Sequence, residues 1–156
     1  MTRYITGLRK SILATTLLTM SVPVIAADLL MVRTRQSFPE AMLTLQTSVK
    51  EHGYEVIHVQ RIDIGLTGMG YNTDKYRVVF VGKKNEIQYL VDTYPVLAAY
   101  MPPQISIFAE HGETVLVTAN PQIYANMIDV EKDKILFKRW ESDIYSVFDD
   151  IRLADE

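Results

Sequence analysis

The sequence predicts an α+β domain, a mainly antiparallel sheet with helices packed on one of its faces. Three observations carry this. Short runs of β-branched and aromatic residues recur along the chain, long stretches keep apolar residues at helical spacing, and Gly, Pro and Asn punctuate the joins. In order, the segments read β-α-β-β-α-β-β-α.

Leu29 to Val32 is a short apolar run that ends in Arg33-Thr34-Arg35 and reads as a first strand. Ser37 and Glu40 then have the spacing of a capping box, and Pro39 sits in a first turn, where its missing N–H costs nothing. Phe38, Met42, Leu45 and Val49 share a face at helical spacing, and His52-Gly53 closes that helix. Tyr54 to Ile64 reads as a second strand, which puts Val56, His58, Gln60 and Ile62 on one face. Gly65 to Asp74 reads as a glycine-bearing loop and Tyr76 to Val81 as a third strand.

Asn85 is placed to cap a second helix with Ile87, Leu90, Val91 and Tyr94 on one face, ended by Pro95 and Met101-Pro102-Pro103. Ile105 to Ala109 and Thr114 to Ala119 form a hairpin whose turn is His111-Gly112. A short helix is expected within Gln122 to Ile128. A long C-terminal helix, about 133–153, carries the stripe Phe137, Trp140, Ile144, Val147, Phe148 and Ile151, expected to pack on its own sheet.

The 156 residues carry no cysteine, which excludes disulfides, thiolate metal sites and a cysteine nucleophile. The N-terminus reads as a secretory signal peptide. Arg3, Arg9 and Lys10 make a basic start, Ser11 to Met20 an apolar core, and Ser21-Val22-Pro23 a break. Cleavage is expected after Ala26, with Ala27 the next choice, leaving 27–156 as a single domain. The run is too short and too interrupted by threonines for a membrane anchor. Removing residues 1–26 takes away three basic groups and no acidic one, so the net charge moves from −3 to −6. An acidic domain repels phosphate backbones, so no nucleic-acid partner is expected. The protein is expected in the periplasm or the medium, with no stable membrane insertion.

Four segments carry a resemblance to a known family: Glu51-His52-Gly53-Tyr54-Glu55-Val56; Arg61-Ile62-Asp63; Asp74 through Lys83; and Tyr94-Pro95 through Met101-Pro102-Pro103 to Glu110. Asn120-Pro121 also fits. The stretch 29–121 resembles domain-of-unknown-function family 302, leaving the C-terminal helix outside the likeness. The resemblance implies a fold related to the TATA-binding-protein architecture, and a homodimer. It implies no activity. Ile64 stands where many members have a histidine, and Gly82-Lys83-Lys84 where many have Gly-Asn-Pro.

The chemistry-bearing residues form no catalytic signature. None of His52, His58 and His111 lies near a Gly-x-Ser-x-Gly elbow. Gly65, Gly68 and Gly70 match neither the dinucleotide nor the P-loop spacing and precede a strand, not a helix. Glu110 with Glu113, and Asp149 with Asp150, read as solubilising charge.

The reading that remains is a non-catalytic module for a small ligand or a periplasmic protein, working as a homodimer without a cofactor. Its contacts are expected around Gly65 to Arg77, from His58, Asp63, Tyr71 and Arg77. One alternative is a metal- or haem-binding accessory protein using His58 with Met69 or Met101, since thioether and imidazole suit Cu(I) and haem iron. Another is an acid–base enzyme centred on Asp63 and His58, which needs a raised carboxyl pKa.

Overall fold

A computed structural model describes residues 28–73 and 75–155. The expected leader, with its expected cleavage at Ala26 or Ala27, lies outside the described residues. Five antiparallel strands form one sheet in the order β1-β5-β4-β3-β2. These are β1 (Leu29–Thr34), β2 (Glu55–Arg61), β3 (Tyr76–Gly82), β4 (Gln104–Glu110) and β5 (Glu113–Ala119). The helices are α1 (Phe38–Glu51), α2 (Ile62–Gly68), α3 (Lys84–Thr93), α4 (Gln122–Ala125) and α5 (Glu131–Leu153), with a 3-10 turn at Pro95–Ala99. The fold is α+β, as the sequence predicts.

Because β1 and β2 are opposite edges, α1 must cross the whole sheet between them. It starts where expected. The Glu40 carboxylate accepts both the Ser37 backbone N–H, at 2.9 Å, and its hydroxyl, at 2.6 Å. It ends at His52 and at Gly53, whose φ of +75° is the left-handed conformation that glycine accepts without strain.

α5 lies beside α1 and buries Phe137, Trp140, Ile144, Val147, Phe148 and Ile151 within its own chain. Each such side chain contributes roughly 1.5–3 kcal/mol of burial. One core lies between the sheet and α1 with the later half of α5, around Leu45, Val79, Ile107 and Leu116. A second core, around Leu90, Leu97, Tyr124, Phe137 and Trp140, joins α3 and α4 to the earlier half of α5. Tyr54 packs against both.

Three expectations are corrected. The second strand stops at Arg61 instead of Ile64. Arg61 pairs with Arg77, and β3 begins only one residue before Arg77, so a longer β2 would find no partner. The chain turns instead into α2, which absorbs Gly65 and Gly68 of the expected glycine loop.

A bulge between Val56 and His58 breaks the alternation of β2. Val56 and Val59 therefore both reach the core, and Val56 does not share a face with His58. α3 begins at Lys84 with Lys83 in the capping place, two residues ahead of the expected Asn85. The Lys83 carbonyl accepts the N–H groups of Glu86 and Ile87.

Candidate functional site

Among the described residues, no helical layer covers most of the sheet face away from α1 and α5. Strand alternation puts Leu29, Met31 and Arg33 of β1 there, with Val115 and Val117 of β5, and Ser106 and Phe108 of β4. β3 adds Tyr76, Val78 and Phe80, and β2 adds His58 and Gln60. Leu29 and Met31 remain 58% and 50% exposed, an unusual condition for apolar residues on a sheet face.

At one end this face becomes a groove of about 510 Å³. Its floor is Leu29, Phe80, Gln104, Ser106 and Val117, from four of the strands. Its wall is Tyr100 and Met101, after the 3-10 turn, and Ile123 and Tyr124 of α4. The prolines explain the wall. Pro95 ends α3, and Pro102-Pro103 bends the chain into β4, so Tyr100 stands at the rim instead of continuing a helix. Asn120 turns the chain from β5 into α4, its side-chain oxygen accepting the N–H of Gln122 at 2.9 Å. This carries Tyr124 over the sheet end.

Tyr124 is only 6% exposed, its ring packed 6.0 Å from Phe137 and 6.1 Å from Tyr100 between centroids. Among the described residues, no hydrogen bond engages the side chains of Tyr100, Gln104, Ser106 or Tyr124. No fully buried side-chain oxygen or nitrogen among them lacks a partner, so the Tyr124 hydroxyl reaches accessible space. Burial, reinforced by the neighbouring Tyr100, raises the Tyr124 pKa, so this phenol remains a proton donor throughout the neutral range. Among the described residues, the lining contains no Asp, Glu, Lys, Arg or His.

The residues singled out by sequence fall in three places. Asp63, in the first turn of α2, is 2% exposed and receives Arg61 Nη2 at 2.7 Å and Arg77 Nη1 at 2.5 Å. Arg77 points to the helix-covered face, where it lies 5.6 Å from the centre of the Phe38 ring. His58 is on the other face, its ring 6.0 Å from that of Phe80. Tyr71 lies beyond α2 and lines a shallow recess with Leu66, Tyr76 and Phe108. Asp63 and Arg77 are brought together; His58 and Tyr71 do not join them.

The Arg61 hydrogen bond, with the charges of Arg77 and Arg61, holds the Asp63 carboxyl below its usual range against the opposing effect of burial. An acid–base role needs the opposite shift. For the metal reading, Met69 caps the end of α2 and is 75% exposed, whereas Met101 packs into the second core. No group of three His, Asp or Glu side chains that could hold a metal occurs among the described residues.

Tyr100, Gln104, Ser106 and Tyr124 carry no motif and sit on the segment after the 3-10 turn, on β4 and on α4. The nearest sequence signal was the pair of phenols flanking the Pro102-Pro103 and Asn120-Pro121 breaks.

The sequence model of the family described as "Domain of unknown function DUF302" matches residues 30–151, which corrects the expected limit at Pro121: the match takes in α5 as far as Ile151. A crystal structure of an uncharacterized conserved DUF302 protein from Bacillus stearothermophilus superposes with a TM-score of 0.71 at 17% identity. The superposition covers 81% of this chain and 100% of that one, a likeness of fold. No curated protein matches the sequence.

Proposed function

The chain belongs to the DUF302 family, and from that premise we propose that it is an exported, non-catalytic module that binds a small ligand on its open sheet face and works as a homodimer. The observation that carries this reading is the groove itself. It is a concavity within the size range of small-molecule sites, with an apolar floor and a few convergent polar groups. The Arg61–Asp63–Arg77 cluster is mutually satisfied, so its role in this reading is to hold α2 against β3.

Pairing follows from the same face. Five strands about 4.8 Å apart and roughly 20 Å long present on the order of 500 Å² per copy. Two copies face to face reach about 1,000 Å², the threshold for a biological interface and the size of a weak, reversible one. A second copy laid there covers Met31 and Phe108 and roofs the groove. Export rests on the basic start, short apolar core and Val24-Ile25-Ala26 of the leader.

Native mass spectrometry of protein prepared from a bacterial periplasm tests all three parts. The expected species is a dimer of chains beginning at Ala27 or Asp28, carrying a non-protein mass. Met31→Lys, a change at an exposed position, is expected to give a folded monomer. A full-length chain, a wild-type monomer at micromolar concentration, or a bare protein would each remove the corresponding part.

A further inference from the structure

We propose that the groove between the open sheet face and Tyr124 takes an uncharged, largely apolar small molecule with a hydroxyl or carbonyl group, which the Tyr124 hydroxyl engages. This rests on the small-ligand reading above and adds the chemistry of the ligand.

Three features set that chemistry. Among the described residues the lining holds no ionisable group apart from its two phenols, so a charged ligand would leave water with nothing there to balance it. The floor of Leu29, Phe80 and Val117, with Met101 on the wall, offers an apolar body contact over most of its surface. The polar handle is Tyr124. Its ring is locked by Phe137 and Tyr100, and its hydroxyl is left without a partner among the described residues.

The ring is buried but the hydroxyl opens into the groove, so a ligand atom placed there meets a fixed donor and acceptor. Gln104 and Ser106, with unengaged side chains on the floor, can accept or donate to a second polar atom. The groove lies on the face of the sheet, not along a strand edge. It therefore presents no row of backbone N–H and C=O groups to an extended peptide.

Fluorescence titration with 2-naphthol, naphthalene and 2-naphthalenesulfonate on one ring scaffold tests this. The wild-type protein is expected to bind 2-naphthol and to discriminate against the sulfonate by tenfold or more. Tyr124→Phe removes one oxygen and keeps the ring. It should weaken 2-naphthol about three- to tenfold while leaving naphthalene unchanged, a range set by one net hydrogen bond. Ser106→Trp, on the partly exposed floor, should abolish binding of both with the thermal midpoint retained.

Equal binding of the sulfonate, or no effect of Tyr124→Phe, would overturn the proposal. So would 2-naphthol binding to the Met31→Lys monomer alone, which would make the second copy the occupant of the groove. A retained native ligand carrying an ionised group would leave the binding reading standing and remove this one. Absence of binding by every probe and of any retained mass would remove both.

Discussion

Arg77 Nη1 sits 2.5 Å from Asp63 Oδ1, while Arg61 holds the other carboxylate oxygen at 2.7 Å. One carboxylate thus ties the end of β2 and the start of β3 to the first turn of α2. The same Arg77 reaches the Phe38 ring at the start of α1. The junction is where the second strand gives way to a helix.

This junction makes stability depend on pH in a defined direction. The Asp63 carboxyl is held below its usual range, chiefly by the Arg61 hydrogen bond. Its contribution is therefore complete above the unfolded value, about 4, and is lost as pH falls through the lower folded-state value. Asp63→Asn should lower the urea midpoint at pH 7, and the gap from wild type should narrow progressively towards pH 3. A gap that stays constant over that range would refute the ion-pair account.

Gly82, at the end of β3, lies directly against the Ile87 side chain of α3. A Cβ built there would overlap Ile87 Cδ1 and press on Cγ1, so an alanine must displace the Ile87 side chain. Gly82→Ala is expected to cost about 1–3 kcal/mol by overpacking. In a double-mutant cycle, Ile87→Ala should cost less in the Gly82→Ala background than in wild type. Simple additivity of the two changes would show that Ile87 is not the obstacle.

Phe137 is fully buried at the centre of the second core, 5.6 Å from Trp140 between ring centroids. Phe137→Ala should cost about 3–5 kcal/mol, as other large core truncations do. The protein has a single tryptophan, so urea unfolding followed by its emission reads this core directly. Tyr145→Ala, on the exposed side of the same helix, should stay within about 0.5 kcal/mol of wild type.

The β4–β5 turn has positive φ at both central residues, 52° at His111 and 88° at Gly112. Gly112→Ala should destabilise by about 1–2 kcal/mol, the cost of a left-handed residue with a Cβ. His111→Asn should raise the thermal midpoint, since asparagine tolerates this conformation better. A lowered midpoint for His111→Asn would mean the histidine makes a contact that the turn geometry does not require.

Much of the fold was legible because it is written in local periodicity. The α5 stripe from Phe137 to Ile151 repeats every three or four residues, and α5 buries those residues on its own chain. The Ser37–Glu40 pair, the Gly53 stop and the His111-Gly112 turn act over a few residues, so their chemistry is readable without knowing what they pack against. The class of fold and all five strands followed from such signals.

What tertiary structure alone decided has one physical reason: it depends on register and on residues distant in the chain. Tyr54 to Ile64 carries strand-forming residues throughout, yet β2 ends where β3 stops offering a partner, and a bulge turns His58 away from Val56. Asp63 reads as a polar residue near a loop until folding closes Arg61 and Arg77 on it. The groove is the extreme case. Leu29, Phe80, Gln104 and Tyr124 share no motif and meet only because the order β1-β5-β4-β3 lays their strands side by side under α4.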